Sequence, residues 1–222
     1  MKNLYYLILV FILTTGCDKI DNYDAPSAKL SGRVIDSETN ELIENGAVNN
    51  GTRIQLFEGN AIQPITTNSF PDGHFVNAAL FPGTYKLFAV GAFKIAGDTI
   101  RVNISENTTA DIKVIPNLRL KVVIQSNDNA TATIKVSYQK VAADQVLNRL
   151  AVVWSTIDNP NMSIFFGGGS KTENVASQNL VSGEKIFTIT GLKPGTKYFI
   201  RAAGATNNSG NYFNYSTTIK TP

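Results

Sequence analysis

The 222-residue chain is 43% hydrophobic and 17% charged, a composition typical of folded domains that excludes a chain disordered throughout. One cysteine cannot close an intramolecular disulfide, and one histidine is too few for the common zinc and triad sites of hydrolases, so we predict no catalytic site, no metal site and no cofactor. The net charge of +3, without a basic cluster, argues against nucleic acid as a partner.

Residues 1–16 have the pattern of an export signal. Lys2 precedes the apolar residues 4–13, a run too short to span a bilayer core of about 30 Å as a helix. The sequence Thr14-Thr15-Gly16-Cys17 then resembles the lipobox of bacterial lipoproteins. This resemblance implies that residues 1–16 are removed and that Cys17 becomes the lipidated first residue. A secretory signal cleaved elsewhere, with Cys17 removed or left as a free thiol, is the alternative.

Three aspartates, Asp18, Asp21 and Asp24, follow the cysteine. This acidic start resembles the surface-export signals of lipoproteins in Gram-negative gut commensals. The resemblance implies a lipid-anchored outer-membrane protein that faces the cell exterior, with periplasm-facing attachment as the alternative. Residues 17–28 are otherwise polar and contain a proline, so we interpret them as the lipidated cysteine and a tether.

From residue 29 onward, short segments alternate apolar and polar residues with the period of two that predicts β-strands. Turn sequences with Pro and Gly separate them, as in Pro71-Asp72-Gly73. No amphipathic helix of three turns is evident, so we predict an all-β chain of two antiparallel β-sandwich domains in tandem, residues 29–116 and 117–222. The predicted strands are 30–36, 53–58, 85–90, 99–104, 110–115, 118–124, 132–138, 150–154, 185–189, 197–202 and 212–220.

The two halves carry opposite charges. Residues 18–116 hold 8 Lys and Arg against 12 Asp and Glu, whereas residues 117–222 hold 11 against 5. Such opposite signs suit either two domains that pack together or two domains with different partners.

The first half resembles the transthyretin-like sandwich of carboxypeptidase regulatory domains. The matching segments are SGRVID at 31–36, PDGHF at 71–75 and LFPGTYKL at 80–87. Modules of this kind are commonly structural spacers. His74 is the lone histidine here, and we interpret it as a solvent-exposed strand residue, because a metal site would need companion ligands.

The second half resembles a fibronectin type III sandwich. The segment at 191–210 carries a Leu-x-Pro-x-Thr-x-Tyr corner, and VVWSTIDNP at 152–160 is similar to a Trp-containing strand and Asn-Pro loop of bacterial type III modules. The resemblance implies that the Tyr198 hydroxyl hydrogen-bonds to backbone and that Trp154 packs in the core.

The mature chain as a whole resembles two-domain lipoproteins of unknown biochemical function, typically encoded beside SusC/SusD-type glycan importers. The most specific part of this resemblance is DNYDAP at 21–26, followed by the first strand. It implies a polysaccharide-utilisation system at the cell surface and provides no catalytic residues to transfer.

Aromatic residues in two loops are the candidate ligand-binding residues, because flat rings stack on the C–H faces of sugars. Phe165 and Phe166 precede a flexible Gly run, and Tyr212, Phe213 and Tyr215 follow near the C-terminus. The alternatives are a packed hairpin and an ordinary last strand. Exposed rings would favour a glycan ligand, whereas buried rings with a broad apolar patch would favour a protein partner.

We therefore predict a non-catalytic outer-membrane surface lipoprotein, accessory to a glycan-uptake system, whose second domain binds glycan or the SusC/SusD-type importer. The alternative is a purely structural spacer or assembly subunit that contacts other outer-membrane proteins.

Overall fold

The computed structural model of the protein describes residues 24–46, 51–128, 130–177, 180–207 and 212–221. The export signal, Cys17 and most of the tether lie outside these ranges. The described residues form strands, turns and loops without any helix, so none of them belongs to a helix that could cross a membrane. The prediction of an all-β chain is confirmed.

The first sandwich pairs a five-stranded sheet with a four-stranded sheet. The strands are β1 (Ala28–Asp36), β2 (Arg53–Glu58), β3 (Ile65–Asn68), β4 (His74–Leu80), β5 (Gly83–Val90), β6 (Phe93–Ile95), β7 (Ile100–Ile104), β8 (Asn107–Thr109) and β9 (Ile112–Pro116). One sheet has the order β4-β1-β9-β6 with β8 beside β1, and the other has the order β3-β2-β5-β7. Because β1 and β9 run parallel, both end at the same pole of the sandwich.

The second sandwich begins immediately after Asn117. Its strands are β10 (Leu118–Asn127), β11 (Thr131–Lys140), β12 (Leu147–Ser155), β13 (Gly169–Ser177), β14 (Ser182–Thr190), β15 (Phe199–Thr206), β16 (Asn214–Tyr215) and β17 (Ile219–Lys220). A three-stranded sheet, β10-β11-β14, packs on a five-stranded sheet of order β13-β12-β15-β16, in which β17 also pairs with β15.

Each sandwich encloses its own core, and a tyrosine fixes one corner of each. In the first core, the hydroxyl of the buried Tyr85 donates to the Phe81 carbonyl oxygen at 2.9 Å. In the second core, the Tyr198 hydroxyl accepts a hydrogen bond from the Lys193 N–H at 3.2 Å, and Trp154 packs against the cluster, as the type III resemblance implies. The two cores share no residue among those described.

The Gly run before β13 is a packing feature. Only Gly167 needs the left-handed backbone, with a φ of 62°. A Cβ at Gly168 would lie 2.0 Å from the Trp154 carbonyl oxygen, and one at Gly169 would lie 2.8 Å from the Trp154 ring. These glycines therefore let the β12–β13 hairpin close over the tryptophan, and the expectation of a flexible run is corrected.

Two strands of the second sandwich are buried on both faces. In β15 every residue from Ile200 to Thr206 is buried, and in β12 the run Leu150–Val153 is fully buried. An antiparallel sheet with one solvated face would alternate instead. The outer face of this sheet is therefore covered, and the residues that cover it lie at the junction with the first sandwich.

Candidate functional site

The predicted aromatic pair Phe165–Phe166 lies in the loop that joins β12 to β13. Phe166 is 65% exposed and Phe165 is 36% exposed, and two more exposed apolar side chains, Ile157 and Ile164, belong to the same loop. We call these four residues the loop patch. It is a cluster of large apolar side chains open to solvent at one place on the second sandwich.

Hydrogen bonds hold this loop in place. The Phe166 carbonyl oxygen accepts bonds from the Thr156 N–H at 3.0 Å and from the Ser155 hydroxyl at 2.8 Å. Asn161 closes an inner turn, because its side-chain oxygen accepts the Ile164 N–H at 3.0 Å. The Met162 N–H donates to the Tyr215 hydroxyl at 3.1 Å, which ties the loop to β16. The exposed rings therefore stand on an ordered support.

The three C-terminal aromatics lie near the domain junction, where Tyr215 also contacts the β12–β13 loop through Met162. Tyr212 and Phe213 are half-buried, and their rings lie 5.9 Å and 5.8 Å from the guanidinium groups of Arg53 and Arg149. Tyr215 is only 7% exposed, so its ring is not accessible to a ligand. It is therefore removed from the residues that we predict to stack on a sugar. The five predicted rings are thus not one surface. Phe165 and Phe166 are the more exposed pair, and the prediction for the half-buried Tyr212 and Phe213 stays a prediction.

The centre of the junction is Arg201, whose side chain is completely buried. Its Nη2 donates to Glu44 Oε2 at 2.9 Å and its Nη1 to the Asn45 carbonyl oxygen at 3.1 Å, both in the first sandwich. Its Nε donates to the Ser216 carbonyl oxygen at 3.0 Å, and its guanidinium lies 4.6 Å from the centre of the Tyr215 ring. One side chain therefore connects both sandwiches through a salt bridge, two carbonyl groups and an aromatic face.

Burial determines the ionisation of this pair. Burial lowers the pKa of Arg201, and the negative charge of Glu44 opposes that shift. Burial also raises the pKa of the Glu44 carboxyl, against the attraction of Arg201, and the nearby negative charges of Asp72 and Asp158 raise it further. Because the Arg201 side chain is completely buried and the Glu44 side chain is only 15% exposed, each charge depends on the other for its stabilisation.

A second arginine joins the domains at the edge of the junction. Arg119 donates from Nε to Asp36 Oδ2 at 2.6 Å and from Nη2 to Asp36 Oδ1 at 3.1 Å, and it also reaches Glu38. Burial raises the pKa of Asp36, but the bonds from Arg119 and from the Glu38 N–H outweigh it, so the pKa is lowered overall. In the pairs of Arg119 and Arg201, cations of the net-positive second half meet anions of the net-negative first half. The exposed pair Lys94–Asp144 also crosses the junction, with the signs reversed.

Neutral hydrogen bonds complete the contact. Asn214 donates from Nδ2 to the Ala92 carbonyl oxygen at 3.0 Å, and its side-chain oxygen accepts the Leu118 N–H at 3.0 Å. The Asn117 N–H donates to the same Ala92 oxygen at 3.0 Å. Among the described residues no buried side-chain nitrogen or oxygen lacks a partner, so the junction is fully hydrogen-bonded.

A cleft of about 620 Å³ opens beside this junction, between the first sandwich, β10 and the segment 214–217. Its lining is mixed, with Asp36, Glu41 and Glu44 from one domain and Arg119 and Lys121 from the other. This cleft could not be predicted from the sequence, because its walls come from segments far apart in the chain. The arginine within the small apolar stretch 200–205 was the available sequence signal for the interface.

No group of three or more His, Cys, Asp or Glu side chains suited to a metal occurs within the described ranges. His74 is half-exposed on β4 and pairs with Asp72, Nδ1 to Oδ2 at 3.2 Å. It belongs to the surface of the first sandwich and does not line the cleft.

Residues 28–115 match the model of the family described as "Protein of unknown function (DUF3823) N-terminal domain". A solved DUF3823 family protein from Bacteroides uniformis has a TM-score of 0.76 at 20% identity, covering 88% of this chain and 99% of that one. One from Parabacteroides merdae has a TM-score of 0.73 at 18% identity, covering 90% and 100%.

A third solved structure, also from Bacteroides uniformis, is named "putative carbohydrate binding protein" and has a TM-score of 0.72 at 19% identity, covering 88% of this chain and 99% of that chain. Identities in this range show a common fold across both sandwiches. A comparison with the curated proteins gave no match.

We expect Arg201→Leu to destabilise the protein by about 3–5 kcal/mol, because it leaves the Glu44 carboxylate buried without its partner. Chemical denaturation measures this loss. Arg149→Leu is the matched control, since Arg149 is only partly buried and its ring contact is worth about 0.5–1 kcal/mol. Adding Glu44→Gln to Arg201→Leu should recover part of the loss, and equal stability of the Arg201 and Arg149 variants would contradict this account of the junction.

Asp36→Asn should lower stability by about 2 kcal/mol at neutral pH, through loss of charge-assisted hydrogen bonds to Arg119. Because the folded-state pKa of Asp36 is lowered, its contribution is present above the unfolded-state pKa of about 4 and is lost as the pH falls further. The difference between wild type and variant, measured by denaturation between pH 7 and pH 3, should therefore shrink below pH 4. A difference that stays constant to pH 3 would refute this, and the exposed Asp144→Asn should show little difference throughout.

Proposed function

We propose, from the match of residues 28–115 to the DUF3823 N-terminal domain and from the exposed loop patch, that this protein is a non-catalytic outer-membrane surface lipoprotein. It is accessory to a polysaccharide-utilisation system and binds carbohydrate through Phe165 and Phe166. The observation that carries this proposal is the 65% exposure of Phe166 on a hydrogen-bonded loop.

A solvent-open ring suits a sugar because its face stacks on apolar C–H groups while the sugar hydroxyls stay hydrated. Because hydrogen bonds already hold the backbone at Phe166, the loop loses little conformational entropy on binding. The solved structure named "putative carbohydrate binding protein" has the same two-sandwich fold, and its name supports a carbohydrate as the first ligand to test.

The position of the N-terminus supports a membrane anchor at the opposite pole. Strand β1 starts at Ala28 and ends at Asp36, which contacts Arg119 of the second sandwich. Nine residues of strand span about 27 Å, so the chain enters the first sandwich far from the junction. Lipidation at Cys17, eleven residues before Ala28, would then place the second sandwich and its loop patch away from the membrane.

The carboxylates near the cleft support binding without catalysis. Of the three carboxylates that line the cleft, Asp36 is paired with Arg119 and Glu44 with Arg201, which leaves only Glu41 as an unpaired acid or base. A glycoside hydrolase needs two carboxyl groups, typically about 5–10 Å apart, that flank the bond to be cleaved.

A second candidate function is assembly with neighbouring outer-membrane proteins, of which a SusC/SusD-type importer is the expected partner. Ile157 and Ile164 favour it, since they are 55% and 45% exposed and aliphatic side chains fit a protein interface better than a sugar face.

Phe166→Ala in the lipid-free chain should reduce binding to a glycan array by about two- to tenfold, since ring stacking is worth about 0.5–1.5 kcal/mol. The matched control is Phe81→Ala, because Phe81 is also exposed but precedes the Pro82-Gly83 turn, near the start of β1. Failure of the wild-type chain to bind any glycan, together with capture of an importer subunit that Phe166→Ala abolishes, would replace carbohydrate binding by the assembly function.

Replacing the anchor residue, Cys17→Ala, should release the protein from the outer-membrane fraction, because the acyl chains can no longer be attached. Cell fractionation and metabolic labelling with palmitate measure this directly. Accessibility of the wild type to protease added to intact cells distinguishes exterior from periplasm-facing attachment. A Cys17→Ala protein that still fractionates with the membrane would contradict the lipid anchor.

A further inference from the structure

The cleft beside the junction has the size of a ligand site. Its volume of about 620 Å³ lies within the range of about 300–1,000 Å³ that is usual for pockets that hold small molecules. It also lies between two domains, where such sites are common. Because both walls are tied together by Arg119 and Arg201, the cleft is formed before any ligand arrives.

Strand register places polar side chains along one wall. Lys121 is opposite Ser137, and Gln139 is opposite Arg119, so all four project from the outer face of the three-stranded sheet. Their neighbours Leu118 and Tyr138 face the core of the second sandwich. The polar groups therefore enter the cleft from a rigid sheet.

Three of the polar side chains that line the cleft are available to bind a ligand. The side chains of Lys121, Gln139 and Glu41 are exposed and form no hydrogen bond or ion pair with other described residues. Arg119 and Asp36, by contrast, already satisfy each other. The cleft thus offers an ammonium group, an amide and a carboxylate, which together supply donors and acceptors whose charges cancel.

This balance of positive and negative groups determines which class of ligand the cleft can bind. A polyanion would be repelled by Glu41 and Glu44, and a polycation would be repelled by Arg119 and Lys121. An uncharged molecule with many hydroxyl groups can donate to the carboxylate and accept from the ammonium and the amide without either repulsion.

The cleft also lies next to the loop that carries the loop patch. The segment 214–217 forms one wall of the cleft, and Thr218, the next residue, donates from its hydroxyl to Asn159 Oδ1 in the loop at 3.0 Å. Tyr215 accepts the Met162 N–H from the same loop. One short segment therefore separates the cleft from the loop that carries Phe165 and Phe166.

We propose that the interdomain cleft is a second carbohydrate subsite, in which Lys121, Gln139 and Glu41 hydrogen-bond the hydroxyl groups of an uncharged oligosaccharide that continues to the loop patch. This inference rests on the proposed carbohydrate function and defines its ligand as a chain of several neutral sugar units. A single sugar would occupy only one of the two subsites.

The test uses the lipid-free chain with neutral polysaccharides (xylan, galactomannan and dextran) and anionic ones (polygalacturonate and alginate), measured by affinity electrophoresis and calorimetry. Lys121→Ala and Gln139→Ala should each weaken binding of a neutral polysaccharide by about tenfold, the effect of losing one or two hydrogen bonds. Gln125→Ala, on the same β10 strand, and Lys113→Ala, on β9, are exposed matched controls that should bind like wild type. Affinity for oligosaccharides of the bound polymer should rise with chain length.

The outcomes separate this inference from the function on which it rests. Wild-type affinity of both cleft variants, together with loss of binding in Phe166→Ala, would overturn the cleft subsite and leave the carbohydrate function standing. Binding of anionic polysaccharides alone would overturn the assignment of a neutral ligand. Absence of binding to all five polymers and to a glycan array would overturn the carbohydrate function and the cleft subsite together.

Discussion

The buried guanidinium of Arg201 is the contact on which the arrangement of the two sandwiches depends. Removing a charged group from water costs several kcal/mol, and this cost is offset only if the charge is paired and its donors are satisfied. Arg201 meets both conditions, but only while Glu44 and Asn45 of the first sandwich are in contact with it. Separating the domains would expose these groups to water or leave them buried without their partners. The fully folded chain therefore favours one orientation of the two sandwiches relative to each other.

This orientation gives the proposed function its geometry. The chain enters at one pole of the first sandwich, and the second sandwich is joined to the opposite pole by Arg119 and Arg201. The same junction forms the cleft and, through the contact of Tyr215 with the β12–β13 loop, supports the loop patch. In the function that we propose, the first sandwich would be a spacer and would also provide one wall of the cleft site.

Much of the fold could be predicted from the sequence, because strand alternation and turn chemistry act over a few residues. The corner tyrosine Tyr198 was predictable from its neighbours for the same reason. The predicted strands lack β3, β4, β6, β8 and β13. In β3, β6 and β8, three or four residues give no clear period and depend on pairing with distant strands. The longer strand β13 was missed because it starts in the glycine run, which we interpreted as a flexible loop. The partner of Arg201 was equally hidden, because Glu44 lies 157 positions away.

The candidate site was predictable only in part. Phe165 and Phe166 were identified by residue type, and the structure places both at the surface. Tyr215 follows the same sequence logic but is buried, because the outer face of its sheet is covered at the junction. The residues next to these rings in the sequence do not distinguish an exposed ring from a buried one, since exposure at the domain junction is determined by tertiary packing.

The central claim is that the two sandwiches move as one body. Nuclear spin relaxation of backbone amides in the lipid-free chain tests it most directly, because it gives a rotational correlation time for each domain separately. The buried Arg201 contact predicts one common correlation time, that of a particle of the whole chain's mass. Two shorter and unequal times would show independent domains and would contradict the account.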